Sequence, residues 1–574
     1  MKYKIIIILT IITLISVNLF GCTNDLDTFR NSQSDVDESV DYLIVESGQL
    51  VLPLTPFNTL NPLMTNNLNY HYFSKLIFEG LFEFNENLET IPKLATEYII
   101  KNNGKTILVK LREDVYWHDG EKFTASDVIF TINALNNSTA ETAYSTIISN
   151  TFVSGSNISS AKIVNARIID DYSIEIDFEQ ALGNNIEALT FPIISSHVFN
   201  SVGRNIDYSK ALELENYEPI GTGPFKFVSY DKHKSVNLES NENYRDGKPR
   251  ISSVVGKVLE NEELFLTAYE AGQINITPAI GVDWDKYKQN SRIKTVEYIS
   301  SNYEFMGFNF SNNIFSGEGG LAIRKAINYG IDRQEIIQKV FLGHATQTDV
   351  PIYPASWLIA EEANFYGHNT EMAKELLVDA RFMDNDGDGI LENIEGTKLS
   401  FRMVTNPSNQ YRFRVAEMIR ENLKEIGIEI ILQFDTSYKQ EVTKEEVTSE
   451  WENINTIITK GDYDIALLGW HMSVIPDLSF MLHSNQENYG NFIKYKNPTM
   501  DSLLDLAKSS INKEDRLLAY KDLQRFIVDD LPYISLFYRN KALLIDTKIM
   551  GEINPNLSNL YNGLDKCYIV TKSN

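Results

Sequence analysis

Apolar positions along this chain recur with two periods, and the elements follow from them. Alternation marks strands at Thr106–Leu111, at Phe225 onward (Phe225, Phe227 and Ser229 against Lys226, Val228 and Tyr230) and, more briefly, at Tyr42–Val45 and Gln49–Leu52. Helical spacing marks Arg412–Ile426, where Val415, Met418, Ile419, Leu423 and Ile426 share a face; Gly427 stops the helix and a strand over Ile428–Phe434 follows. Phe73, Leu76 and Ile77 give a buried helix face within Asn69–Phe82. Start signals agree: Thr124 as N-cap with Asp127 at N3 before Val128–Leu135, an Asp332–Glu335 box after the helix Leu321–Tyr329, and Asn497-Pro498 with proline at N1. Helices alternate with strands through the second half, which predicts α/β layers.

One stretch breaks both periods. Pro219-Ile-Gly-Thr-Gly-Pro-Phe-Lys-Phe227 combines two prolines, which fix φ, with two glycines, which open conformations closed to other residues. A shaped turn entering a strand in mid-chain is expected where the polypeptide leaves one lobe for another. At 574 residues the chain exceeds a single core and divides into two or three domains. A net charge of −26 disfavours nucleic acid and anionic membrane surfaces as partners.

The N-terminus sets the compartment. Lys2 and Lys4 precede an Ile/Leu-rich run to Phe20 that is interrupted by Thr10, Thr13, Ser16 and Asn18, which suits a secretory signal better than a membrane span. It ends Leu19-Phe20-Gly21-Cys22, which resembles the bacterial lipobox, with Phe20 bulkier than usual; the competing reading is an uncleaved signal anchor. Lipidation of Cys22 would tether the protein at about 0.8 kcal/mol per buried CH₂. Residues 23–40 are polar and acidic, a flexible tether. Cys567 is the one other cysteine, so no disulfide framework or Cys/His metal cluster is expected.

Several segments in register carry a resemblance. Leu94-Ala-Thr-Glu-Tyr98, Val109-Lys-Leu-Arg112, Val115-Tyr-Trp-His-Asp-Gly120, Phe123-Thr-Ala-Ser-Asp-Val128, the 219–225 turn, Ile323–Arg333, Gly343, Ala373–Leu377 and Gly469-Trp470…Pro476-Asp477 together resemble the family 5 extracellular solute-binding proteins, the oligopeptide-, dipeptide- and nickel-binding lipoproteins of bacterial ABC importers. The likeness covers nearly all of residues 42–545. It implies an α/β, two-lobed periplasmic-binding-protein-like (Venus flytrap) fold with an additional small domain. The implied division is a signal peptide at 1–21, a tether at 22–40, lobe I from 41–66, 220–310 and 535–574, an accessory domain at 67–219, and lobe II at 311–534.

Catalysis finds no support in the motifs. The eight His are scattered without HExxH, and Gly104-Lys105-Thr106 mimics a P-loop tail but has Ile99 where the upstream glycine belongs and a strand where the helix belongs. The sharpest local chemistry is Asp384–Glu395, which fits a calcium loop: Asp384, Asp386 and Asp388 at positions 1, 3 and 5, Gly389 for the turn, the Ile390 carbonyl at 7 and Glu395 at 12. A helix (Glu371–Val378) precedes it, but Lys398–Val404 reads as a strand, so it is not a full EF-hand. A solvated acidic turn is the plain alternative to structural Ca²⁺.

The resemblance also implies a ligand cleft. Asn69, Tyr70 and Tyr144 match cleft-facing positions, against the alternatives of a helix cap for Asn69 and packed aromatics for the tyrosines. Trp470 is the central cleft aromatic, and peptide-binding members carry an Asp three residues later that pairs with the peptide α-ammonium. Here that residue is Ser473, which lacks the counter-charge. Asp477 either replaces it or caps the next helix. The expected function is therefore a monomeric, lipid-anchored, extracytoplasmic receptor that captures oligopeptides and delivers them to an ABC permease, with no catalysis and no required cofactor. Another cargo (nickel chelate, sugar, signalling peptide) and a surface-anchored hydrolase are the alternatives.

Overall fold

The structure is a computed structural model and describes residues 42–44, 48–137, 162–199, 217–361, 366–433, 443–487 and 490–572. In chain order its strands are β1 (Tyr42–Ile44), β2 (Gln49–Leu54), β3 (Phe82–Phe84), β4 (Thr90–Pro92), β5 (Ala95–Lys101), β6 (Thr106–Leu111), β7 (Ile163–Asp170), β8 (Ser173–Phe178), β9 (Phe225–Asp231), β10 (Ser235–Ser240), β11 (Ser253–Val258), β12 (Ile276–Pro278), β13 (Ile293–Phe308), β14 (Ala345–Gln347), β15 (Ser400–Val404), β16 (Glu429–Leu432), β17 (Ile465–His471), β18 (Tyr533–Asp546), β19 (Ile549–Met550) and β20 (Tyr568–Lys572). The helices used below are α1 (Leu68–Ser74), α2 (Ala125–Asn137), α3 (Gly317–Gly330), α4 (Arg333–Phe341), α5 (Thr370–Asp379), α6 (Gln410–Glu425), α7 (Pro498–Ser509) and α8 (Lys513–Asp530). Ile44 of β1 stands opposite Val570 near the C-terminus, and these chain ends form a small unit of their own.

Three groups of strands build the cores. In lobe I, β2 runs parallel to β11, and β10 and β9 continue the sheet antiparallel. Its core draws Leu50 and Leu52 from the N-terminal end, Phe225 and Val254 from mid-chain, and Leu543 and Ile545 from the far end. An accessory sheet of order β5-β6-β8-β7 packs Val109, Ile174 and Ile176 against Trp117, Phe123 and Val128. The third sheet, of order β12-β18-β13-β17-β15-β16 with β14 on β18, begins in lobe I at β12 and the far end of β18 and continues into lobe II. One face carries α3 to α6 through Ile323, Leu377, Val415 and Leu423, and the other carries α7 and α8 through Leu504 and Leu523. Each fully buried aliphatic or phenyl side chain contributes about 1.5–3 kcal/mol over leaving it in water.

Local signals hold with shifts of a few residues. Asn497 accepts from the amides of Thr499 and Met500 with Pro498 at N1, Asp332 accepts from Glu335 N at 2.8 Å, and Gly427 takes φ +80° after α6. The first helix differs. Its N-cap is Asn67, whose side chain accepts from Tyr70 N, and it ends at Ser74 well before Phe82, because Lys75–Gly80 must pack beneath the 219–225 turn.

That turn is a clamp between lobe I and the accessory domain. A Cβ on Gly221 would meet the Ile77 carbonyl oxygen at 1.9 Å, so only glycine lets the two backbones approach. His118, from the Trp-His-Asp-Gly segment, accepts from Gly221 N through Nδ1 (3.2 Å) and contacts the Gly223 carbonyl through Nε2 (3.0 Å). Those two partners require a neutral ring protonated at Nε2. Burial, opposed by the Gly223 bond, brings its pKa down to about 4. Beneath the turn, Glu79 takes both guanidinium nitrogens of Arg245 at 2.7 Å, the Thr222 hydroxyl at 2.8 Å and the Tyr244 hydroxyl at 2.9 Å. Burial pushes the Glu79 carboxyl up, but the bonds and charge of Arg245 more than reverse this and leave it below the usual range.

The accessory domain also touches lobe II: Arg516 of α8 pairs with buried Glu187, Trp357 N donates to Asn87 O at 2.8 Å, and Gly183 N donates to Lys508 O at 2.8 Å.

Candidate functional site

Two long strands carry the chain between the lobes. On β18, Leu543 and Ile545 belong to the lobe I core while Ile534 and Leu536 belong to lobe II; on β13, Val296 and Tyr298 pack against lobe I while Tyr303 and Phe305 are in lobe II. Their antiparallel register breaks midway. Ile299 faces Asn540 and Tyr303 faces Tyr538, so Ser300, Ser301 and Asn302 stand against Arg539 alone. Extra residues of this kind bend and twist a strand. The bulge ties itself internally: the Ser300 hydroxyl donates to Arg539 O (2.7 Å) and accepts from Asn302 N (3.2 Å), while Ser301 O accepts from Met472 N of the next segment (2.9 Å).

Tyrosines gather beside this crossing. Tyr72, Tyr353 and Tyr561 and the Glu262 carboxylate surround Tyr298 closely enough to add to burial in raising its pKa. The Tyr353 hydroxyl donates to Ile299 O at 2.9 Å, so the lobe II segment that bears it is fastened to the crossing itself. On the lobe II side, Glu304 is buried with Arg412, whose Nε and Nη2 reach its two oxygens at 2.8 and 3.1 Å. Aromatic bodies with polar tips beside a few fixed charges suit a site that holds a ligand's varied side chains.

The sequence-predicted residues fall into three groups. Trp470 lies on β17 opposite Tyr303; it is half-buried, stacks on Phe305 (6.0 Å, 15°) and meets Phe480 edge-on, and its buried Nε1 finds no acceptor among the described residues. Asn69 is also beside the crossing, but its amide donates to Glu262 Oε1 at 2.8 Å and it caps nothing. Tyr70 has no exposed surface; its hydroxyl donates to Leu60 O at 2.7 Å and its ring stacks on Phe57, so it serves the lobe I core. Ser473 is half-buried and spends its hydroxyl on the Ile475 carbonyl two residues on. Asp477 accepts from Ser479 N at 2.9 Å and pairs with Lys508 at 3.2 Å; the N-cap of the short helix Ser479–Leu482 is Leu478. Tyr144 and Cys22 lie outside the described residues.

The sequence profile of the bacterial extracellular solute-binding proteins, family 5 Middle, matches residues 89–492, more than half of the chain. The chain belongs to the family 5 bacterial extracellular solute-binding proteins. This family is one of solute-binding proteins rather than enzymes, and its members are the substrate-binding components of ABC importers, acting outside the cytoplasm. Among similar proteins, the oligopeptide-binding protein AppA of Bacillus subtilis is 27% identical over 97% of this chain and 97% of its own length. Its solved structure, in complex with a nonapeptide, has a TM-score of 0.58 at 25% identity and covers 92% of this chain and all of the other. Heme-binding protein A of Haemophilus influenzae is 24% identical over 86% of this chain and 87% of its own.

In this binding protein the 384–395 loop is a separate acidic feature. The Asp384, Asp386 and Asp388 side chains each present an oxygen within 4.8 Å of the others. Asp384 also accepts from Gly387 N (2.7 Å) and Gly389 N (3.1 Å), and Lys398 bridges Asp386 and Asp388 from the far side of the loop. That ammonium supplies the counter-charge the clustered carboxylates need. Glu395 at position 12 is exposed and outside the trio, while Glu392 at position 9 is buried and accepts from Asn385 N at 2.9 Å. The Ile390 amide donates to Asp388 at 2.9 Å.

The binding protein's sequence alone concealed the β13–β18 crossing, because its two strands lie more than two hundred residues apart. Ser300-Ser301-Asn302 is a polar break between two apolar stretches, a local signal of irregular backbone, and the register break shows what it does.

Proposed function

We propose that this family 5 protein is the lipid-anchored receptor of an ABC importer, that it captures oligopeptides where β13 and β18 cross between the lobes, and that it delivers them to a permease. One observation carries the peptide reading: similarity to an oligopeptide-binding protein runs end to end along both chains and includes the segments that build the crossing. Each lobe has its own core, and the bulged strands β13 and β18 run from one to the other. That arrangement suits hinge closure around a ligand, the motion by which periplasmic binding proteins as a class take up their solutes. Main-chain hydrogen bonds and aromatic contacts would supply most of the affinity. The protein acts as a monomer, held to the membrane through acylated Cys22.

A native mass spectrum of the purified protein tests this. Heterogeneous added mass released as peptides on denaturation is expected; a bare chain that binds no member of a synthetic oligopeptide pool overturns the peptide cargo. Replacement of Cys22 by alanine is expected to release the protein into the medium, and retention at the membrane overturns the lipid anchor.

We also propose a structural Ca²⁺ held by Asp384, Asp386 and Asp388 with the Ile390 carbonyl, away from the crossing. The donor set is the hard, anionic oxygen chemistry calcium requires. Lys398 competes for the same carboxylates and must swing out. A melting temperature that falls with EDTA and recovers with calcium is the expected result, and an unchanged one removes the proposal.

A further inference from the structure

Lobe II meets the accessory domain at a seam built for close approach. The loop between α7 and α8 brings Ser510 and Ile511 onto two glycines of the accessory domain. A Cβ on Gly183 would stand 2.2 Å from the Ser510 carbonyl oxygen, and one on Gly104 would stand 2.1 Å from Ile511 Cδ1. Gly183 is also bonded to lobe II twice: its amide donates to Lys508 O (2.8 Å), and its carbonyl accepts from Arg516 Nη1 (2.9 Å). Arg516 pairs in addition with Glu187, and both side chains are buried. Nearby, Phe84 and Leu88 from the β3–β4 hairpin pack among the apolar residues of lobe II.

Unlike the Pro219–Phe227 clamp, this seam leaves several acceptors open. Asn184 Oδ1, Asn185 Oδ1 and Glu187 Oε2 are buried without a donor among the described residues. A narrow pocket lies beside them, with Asn184, Asp477, Lys508 and Arg516 in its walls. A buried acceptor without a partner costs free energy, and parting the surfaces returns it to water. Polar interdomain surfaces of this kind are the ones across which domains move. The clamp fastens the accessory domain to lobe I, so a swing of lobe II about the β13–β18 crossing has to move the seam. The seam also reaches toward the ligand side. Tyr520 of α8 donates to Pro476 O (2.7 Å) and Lys508 of α7 pairs with Asp477 (3.2 Å), so the helices gripped there also hold the segment that follows Trp470.

We propose that the seam is a catch. The Gly104–Gly183 seat takes the Ser510–Ile511 loop when lobe II closes and releases it when lobe II swings away, so the accessory domain sets how long the closed form lasts. Gly183, Glu187 and Arg516 are then positioning residues, remote from the ligand. The inference rests on the hinge closure put forward above and adds to it a second control that is indifferent to the ligand's sequence.

Gly183→Ala tests it. Gly183 lies outside the left-handed region, so alanine suits its backbone, and the nearest atoms its Cβ would meet belong to Ser510 and Arg516 of lobe II, which leaves the accessory domain free to fold. Small-angle scattering of ligand-stripped protein is expected to give a larger radius of gyration for the variant than for the parent. Release of each member of a synthetic oligopeptide pool, followed by stopped flow, is expected to quicken by about fivefold to a hundredfold, and by a similar factor for every peptide. Glu187→Gln removes a charge from the buried pair without adding bulk, and it is expected to act in the same direction less strongly. Unchanged scattering or unchanged release in both variants overturns the catch. So does a change confined to some peptides, which would place the effect in the ligand site. Failure of every peptide to bind overturns the cargo reading instead, and the scattering comparison then decides the catch by itself.

Discussion

At the Pro219–Phe227 clamp most charged and polar groups are paired: Glu79 holds Arg245, Thr222 and Tyr244, both ring nitrogens of His118 are engaged by the turn, and Arg245 Nε is left without a partner among the described residues. At the β13–β18 crossing the pattern is reversed. Among the described residues the Trp470 Nε1 has no acceptor, Lys541 and Arg539 have no carboxylate, and the strand register itself is broken. Both places join large parts of the molecule, and both contain charges that are crowded by protein. The difference lies in what the fold completes by itself. A junction that must stay fixed satisfies its charges internally, since a buried unpaired charge costs several kcal/mol. A junction that receives a ligand leaves donors open, because groups already satisfied have nothing left to offer.

Unpairing the clamp is the severest challenge to this contrast. Arg245→Met strands the Glu79 carboxylate, which is buried together with its partner. The expected loss is about 3–5 kcal/mol of unfolding free energy, read by denaturant titration. Adding Glu79→Gln should recover much of it, because removal of a whole buried pair costs far less than removal of half. A single variant as stable as the parent would mean that the clamp holds no more tightly than the crossing.

A smaller effect follows from His118. Its folded pKa of about 4 lies below the ordinary value near 6.5, so the unfolded chain binds the proton first as pH falls. The stability it contributes is fully present above about pH 6.5 and is lost progressively toward pH 4. The size is about 2–3 kcal/mol. His71 in α1, whose pKa burial also lowers, acts in the same direction. The melting temperature should therefore fall as the pH is lowered from neutrality toward the folded pKa of His118, and His118→Gln should flatten part of that slope. An unchanged slope in the variant would place the acid sensitivity elsewhere.

The contrast also explains which parts of the molecule the sequence discloses. Turn, cap and period are local, so the 106–111 strand, the Pro498 helix start and the special character of Gly221 and Gly223 can be read directly. The reason for those glycines, the close approach of Lys75–Gly80, cannot, since it joins segments 143 residues apart at the Glu79–Thr222 bond. The residues expected in the cleft by likeness are held in place by different elements. Trp470 is placed by a strand pairing, whereas Tyr70 stands on a helix whose start at Asn67 rotates it into the core. Lys541 closes the polar triplet Arg539-Asn540-Lys541, which separates two apolar stretches of one strand. Its surroundings depend on Tyr298 across the sheet and on carboxylates already taken by Asn69 and Arg412, and none of these is its neighbour in sequence.

The smallest expected effect is also the most discriminating, because it separates the burial of a charge from its pairing. Lys541 and Arg245 are both crowded cations, but only Arg245 has partners to lose. Substituting Lys541 by glutamine removes an ammonium that no carboxylate holds among the described residues, at a position open to solvent. Stability should change by no more than about 0.5 kcal/mol, and a slight gain is consistent with relief of desolvation. Chemical denaturation of parent and variant without ligand measures this. A loss of several kcal/mol would mean that Glu262 already pairs with Lys541 in solution, and the crossing would then be a second satisfied clamp rather than an open site.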